Sequence, residues 1–171
     1  MPRYLALLRG VSPLNAKMPE LKRCFEAAGF ANVKTIHSSG NVIFDARAAT
    51  ESSLEQRAES QMQKLLERSF YTIVRPVSFL RSLLDADPFA AFALPAQAKR
   101  VVSFTRLNIE APKTLPLELG GAQILSVVGR EVFTAYVPSD KGPVFMTLIE
   151  KTIGKDITTR TWETIKRCAF A

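Results

Sequence analysis

The sequence predicts an α+β fold with antiparallel sheets, on three observations. Apolar runs of strand length alternate with amphipathic stretches of helix length. The first half orders them as strand, helix, strand, strand, helix, strand. In the second half, ILSVV and EVFTAYV flank the two-residue turn Gly129-Arg130, the clearest local signal in the chain.

Residues 4–9, YLALLR, read as a buried strand. After an irregular segment, Met18, Leu21, Phe25 and Ala28 recur at helical spacing, with Cys24 beside the stripe. Pro19 suits the first turn of that helix, and Gly29 its stop. Residues 33–37, VKTIH, and 41–45, NVIFD, make two strands joined through Ser38-Ser39-Gly40. Ser52-x-x-Glu55 reads as a capping box, followed by Leu54, Ala58, Met62, Leu65 and Ser69 along one face. Residues 71–75, YTIVR, supply the next strand and complete the β-α-β-β-α-β order of a ferredoxin-like unit. A short helix follows, capped by Ser78 and ended at Asp87-Pro88.

The Ala-rich segment 91–97 connects this N-terminal half, 1–90, to a C-terminal α+β half, 98–171. There, residues 100–106 form a strand and the proline-broken residues 111–117 a loop. The hairpin comes next, then a helix over 144–152 ending at Gly154. An extended piece at 157–160 leads into a last helix that Thr161 caps, with Trp162, Ile165 and Ala169 on its apolar face. Two ferredoxin-like (βαββαβ-type) halves with antiparallel sheets are therefore expected, the second less regular than the first.

A chain of 171 residues, 47% hydrophobic and 23% charged, buries a real core. Its apolar runs fall far short of the ~20 residues that span a bilayer, and no secretory leader is evident, so a cytoplasmic protein without a membrane partner is expected. Cys24 and Cys168 belong to no ligand spacing and read as small buried hydrophobes. Net charge is +7 with a pI near 9.7. The excess divides evenly, +3 through Gln97 and +4 beyond it, and no basic run exceeds two residues, as at Lys99-Arg100. Such a balance admits nucleic acid or an anionic ligand, and suits a solvated basic surface equally.

The segment after Arg9-Gly10 has the strand–loop–helix layout of a phosphate-binding turn. A nucleotide-hydrolysing loop needs Gly, four residues, then Gly-Lys-Ser/Thr. Here Asn15-Ala16-Lys17-Met18 lacks the second glycine, displaces the lysine and supplies no hydroxyl. A weaker anion site survives, built from Arg9, Lys17 and free N–H groups at the helix start. The polar turn HSSGN holds the single histidine, but His37 and Ser38 point to opposite faces of a strand, and turn chemistry accounts for Ser-Ser-Gly-Asn more cheaply than a nucleophile. Aligning Val42 and Phe44 with the RNA-recognition signature sets Ser39 and Asn41 at the base-stacking positions, where neither has a ring. TTRTWE offers an arginine, hydroxyls and an indole at a helix start, the makings of a small-ligand corner. One histidine, two distant cysteines and no clustered carboxylates point to no metal, no cofactor and no acid–base pair.

The stretch from YLALLRG to SSGNVIF is similar to the opening of the bacterial domain of unknown function 1697 family. That family pattern runs LLRG, a loop, a MxELR-type helix, GF, and a strand into QSGNVVF. DADPF resembles its mid-chain NPF, and DITTRTWETIK its closing TTRNWNTV. The RG matches Arg9-Gly10, the SGN matches Ser39-Gly40-Asn41, and the TTR-x-W matches Thr158-Thr159-Arg160 and Trp162. The family's glycine-rich piece is replaced by Ser12-Pro13-Leu14-Asn15, which weakens a close backbone cradle for an anion. The resemblance implies paired ferredoxin-like units and no particular activity.

The leading functional expectation is a module that binds an anionic small molecule or a partner, through Arg9, Lys17, Ser39, Asn41 and Arg160. The alternatives are nucleic-acid binding through diffuse basic charge, and a non-catalytic homodimer formed through a sheet edge.

Overall fold

In the computed structural model, which describes residues 1–37, 40–138 and 144–171, the first apolar run forms β1 (Arg3–Leu8). Then follow α1 (Met18–Ala27), β2 (Ala31–Ile36), β3 (Asn41–Asp45), α2 (Glu51–Leu66) and β4 (Thr72–Pro76). The strands make an antiparallel sheet of order β2-β3-β1-β4. One face of it is covered by α1 and α2: Tyr4, Ala6, Leu8, Val42, Phe44 and Val74 share a core with Leu21, Phe25, Leu54, Ala58 and Met62. Phe44 is the hub, stacked on Phe30 at 4.2 Å and in contact with Phe25 and Tyr4. Each such ring pair contributes about 0.5–1.5 kcal/mol beyond its buried area. The other face carries Leu5, Leu7, Asn41, Ile43, Ile73 and Arg75, all fully buried. Burial on both faces explains why β1 reads as an uninterrupted apolar run rather than an alternation.

Two expected caps are corrected. Helix α2 is capped by Thr50, whose Oγ1 accepts the Ser53 N–H at 3.1 Å, not by Ser52. The next helix, α3 (Val77–Ala86), starts one residue before Ser78, straight out of β4. Glu55, freed from a capping box, is buried and serves the sheet. Its Oε2 accepts the Val74 N–H at 2.9 Å, and Glu59 Oε2 accepts that of Thr72 at 3.2 Å. The fit is geometric: four helical residues rise about 6 Å, close to two residues of strand. One turn earlier, Glu51 accepts Nη1 of the fully buried Arg75 at 3.2 Å.

The remaining strands are β5 (Lys99–Thr105), β6 (Leu117–Leu119), β7 (Ala122–Val128), β8 (Glu131–Tyr136) and β9 (Ile157–Thr161). They form a second antiparallel sheet, order β6-β7-β8-β5-β9, with helices α4 (Val144–Ile153) and α5 (Trp162–Ala169). The β7–β8 hairpin turns at Gly129, φ +61°, as its sequence demands. Strand β6 begins at the end of the stretch read as loop. It is three residues long and exists through pairing of Leu117 with Ile124 and Leu119 with Ala122, which no local pattern announces. Thr161 caps α5 as expected, its Oγ1 accepting the Thr164 N–H at 3.2 Å.

The chain divides into two compact units, residues 1–82 with 166–171, and residues 83–165. Among the described residues, the architecture is thus mixed α and β, with two antiparallel sheets and five helices, none of them long and apolar enough to cross a membrane.

Candidate functional site

The loop after β1 is knitted to itself. Asn15 Oδ1 accepts the Ser12 N–H at 2.9 Å, and Asn15 Nδ2 donates to the Gly10 carbonyl at 2.8 Å. Ser12 Oγ accepts the Leu14 N–H, and the Ser12 carbonyl accepts those of Asn15 and Ala16. Pro13 has no N–H. Lys17 caps α1 without a side-chain acceptor, and its own N–H goes to Glu20 Oε2 at 3.3 Å. The amide donors of residues 12–17 are therefore all occupied, and a carboxylate already stands at the positive end of the helix. At the helix start itself the N–H groups of Glu20 and Leu21 are bonded to the Lys17 carbonyl, which leaves little of the cradle expected for an anion. Arg9 is half-buried, its backbone N–H on the Tyr71 carbonyl at 2.9 Å, and Lys17 is exposed.

The Ser39-Gly40-Asn41 element has a structural explanation in its last two residues; Ser39, with Ser38, lies outside the described residues. Gly40 sits at φ +82°, where an added Cβ would come within 3.0 Å of the Leu8 carbonyl oxygen. The Gly40 carbonyl accepts the Leu8 N–H at 2.9 Å. Asn41, fully buried, pairs with Leu7 and donates from Nδ2 to the Ile36 carbonyl at 3.1 Å, tying β2 to β3. Asn41 and Arg9 thus lie toward the same end of the β1–β3 pair. His37 is exposed, with Arg167 Nη1 at 3.3 Å from its Nε2.

In the second unit, Arg160 is held locally. Its Nη1 donates to Thr158 Oγ1 at 2.6 Å and to the Thr159 carbonyl at 2.9 Å, while Thr159 Oγ1 meets Ser103 Oγ at 2.7 Å. The sequence-derived candidates consequently divide: Arg9, Lys17 and Asn41 belong to the first unit, Arg160 to the second.

A hollow of about 360 Å³ opens beside this motif, lined by Ala98, Lys99, Arg100, Thr161, Trp162 and Glu163. Strand register creates it. Thr161, the last residue of β9, pairs with Val101, so Lys99 and Arg100 run on past the end of β9 where the chain turns into α5. Both cations are exposed, and neither enters an ion pair or side-chain hydrogen bond among the described residues. Trp162 forms the wall. It is only 5% exposed and meets Phe89 edge-on at 5.1 Å and Phe133 at 6.4 Å. The sequence flagged Thr161 and Trp162 but missed Lys99 and Arg100. Their one signal was an adjacent basic pair opening a strand, and only cross-strand register sets that pair beside a tryptophan about sixty residues away.

Both cysteines are fully buried and neither is in a disulfide, as expected of small hydrophobes. Burial, with Glu20 nearby, pushes the Cys24 thiol above its ordinary pKa, which makes it inert.

Comparison with solved structures finds the conserved bacterial protein SP0830 from Streptococcus pneumoniae. It is 17% identical, with 99% of this chain and 97% of that one aligned at a TM-score of 0.73, a likeness of fold alone. The first two RRM domains of yeast poly(U) binding protein align at 13% identity, over 94% of this chain and 98% of that one, with a TM-score of 0.25, too low to carry an argument. No curated protein sequence matches the chain. Residues 1–133 match the family described as "Protein of unknown function (DUF1697)", a span that includes Arg9-Gly10 and Ser39-Gly40-Asn41 and stops before the TTR-x-W element. Over three-quarters of its length matches, and the chain belongs to the DUF1697 family.

Proposed function

We propose that the protein binds a small anionic molecule, and that it does so in the hollow at the β5–α5 corner. The observation that carries this reading is the pair of cations, Lys99 and Arg100, unpartnered among the described residues and beside a cavity of ligand size. Arg100 offers a planar fork and Lys99 a mobile point charge, and hydrogen bonds from either to an anion are charge-assisted. The start of α5 adds the positive end of a helix dipole. The one hydroxyl of the lining, Thr161, is engaged with the Thr164 N–H and hydroxyl as the cap of α5, so the reading is binding rather than catalysis. Ferredoxin-like halves at 1–90 and 98–171 are part of the same reading, supported by the matching strand orders β2-β3-β1-β4 and β7-β8-β5-β9. So is a cytoplasmic setting, which two separated thiols favour.

The test is a thermal-shift screen against small carboxylates, phosphates and sulfates. A ligand at a hundred times its Kd stabilises by about 2.7 kcal/mol, which for a chain of this size raises Tm by roughly 5–10 °C. The double variant Lys99→Ala/Arg100→Ala should lose the shift. Arg9→Ala and Lys17→Ala should keep it. Loss through Arg9→Ala alone would move the site to the first unit, and the absence of any saturable shift would end the reading.

A further inference from the structure

Resting on that anion-binding reading, we propose that the ligand of the hollow is a monocarboxylate with a flat apolar body, its carboxylate accepting from the Trp162 indole N–H. Three observations select this class. The first is charge: Lys99 and Arg100 stand against Glu163, so the lining carries one net positive charge. A monoanion neutralises it, whereas a dianionic phosphomonoester brings one charge too many, beside a carboxylate that repels it.

The second is the tryptophan itself. Trp162 is 95% buried, yet its N–H reaches no acceptor among the described residues. Buried indole donors ordinarily find a partner. Thr134 Oγ1 is the only side-chain polar atom among the described residues that is sealed from solvent and unpartnered. The indole nitrogen is therefore not sealed, and it is assigned to the hollow that Trp162 lines. A ligand oxygen there satisfies it.

The third is size and surface. At about 360 Å³ the hollow stands near the lower end of ligand sites, enough for a single ring with its acid group and short of a nucleotide. Ala98, the indole and the alkyl stems of Lys99 and Arg100 give that ring an apolar seat. Phe89 and Phe133 hold the indole edge-on, so the wall is in place before the ligand arrives.

Trp162 is the chain's single tryptophan, so its emission reports on this hollow and nowhere else. Benzoate, phenyl phosphate and the neutral isostere benzamide are titrated against the intact protein with excitation at the red edge of the indole band. Benzoate should give a saturable change, phenyl phosphate should bind about tenfold more weakly, and benzamide should do nothing at the same concentrations. Lys99→Ala and Arg100→Ala, both on the surface, should each weaken benzoate about tenfold with the circular dichroism spectrum unchanged. Glu163→Gln should narrow the gap between benzoate and phenyl phosphate. Phenyl phosphate binding as tightly as benzoate to the unaltered protein would overturn the carboxylate class and leave the anion site standing. Thermal stabilisation by anions without any change in Trp162 emission would overturn the assignment to this hollow.

Discussion

Asp45 shows how single side chains join neighbouring strands of the first sheet and make its stability depend on pH. It ends β3, opposite Arg3 of β1 and Ala31 of β2. Asn32 Nδ2 donates to its Oδ2 at 2.7 Å, and Arg3 Nη1 to its Oδ1 at 2.8 Å. The Asn32 hydrogen bond foremost, then Arg3, holds its carboxyl below the ordinary aspartate value. A depressed pKa means that the folded state prefers the charged form. The stabilisation is present above the unfolded value, about pH 4, and disappears as pH falls through the folded one. Denaturant midpoints measured between pH 7 and pH 3 should therefore fall at the acid end, and Asp45→Asn should flatten that fall while lowering the midpoint at neutral pH. An acid limb identical in Asp45→Asn would refute the assignment. Gly40 and Asn41 belong to the same scale. The Ser-Gly-Asn motif invites a functional reading, but Gly40 is needed for its left-handed φ and its close approach to Leu8, and Asn41 for the Ile36 carbonyl.

At the scale of elements, α2 and β4 form one unit. As the outer strand of its sheet, β4 presents a row of backbone donors that would otherwise be free to pair with another chain. Glu55 and Glu59 cover those of Val74 and Thr72, and Pro76 has none to cover. That edge is therefore closed, which argues against β4 as the seam of a homodimer. Glu55→Ala leaves a buried N–H without its acceptor and should cost about 1–3 kcal/mol. Glu55→Gln keeps a carbonyl acceptor and should cost distinctly less. Urea unfolding of the two variants compares them, and equal losses would show that packing of the side chain, not the acceptor, is what matters. The sequence pattern did mark Glu55, but as half of a capping box. A glutamate at the third position of a helix satisfies both descriptions, and only the position of β4 decides between them.

For the whole molecule the relevant quantity is its charge. An excess of +7, spread evenly and without a basic run, creates a general attraction for polyanions and no address on them. In the first sheet, the face that RNA-recognition modules leave open carries Leu5, Leu7, Ile43 and Ile73, all fully buried. Binding to single-stranded oligonucleotides should accordingly be weak, indifferent to sequence, and lost between about 50 and 200 mM salt. Gel retardation across that range checks it; retention at the upper end with a sequence preference would restore the nucleic-acid reading.

Composition, periodicity and turn chemistry determined much of this protein without help. The strands β1, β3, β4, β7 and β8, the stripes of Leu21 and Phe25 on α1 and of Leu54, Ala58 and Met62 on α2, the buried cysteines and the Thr161 cap all follow from neighbours in the chain, whereas Leu65 is exposed and Ser69 lies beyond the end of α2. Those features depend on repeats of two and 3.6 residues and on local hydrogen bonds, which a linear pattern encodes. Strand β6, the carboxylates over β4 and the hollow at Lys99 and Arg100 were decided only by tertiary structure. Each depends on which residues stand opposite one another across a sheet or between sheet and helix, and that register is a property of the folded chain rather than of any window along it.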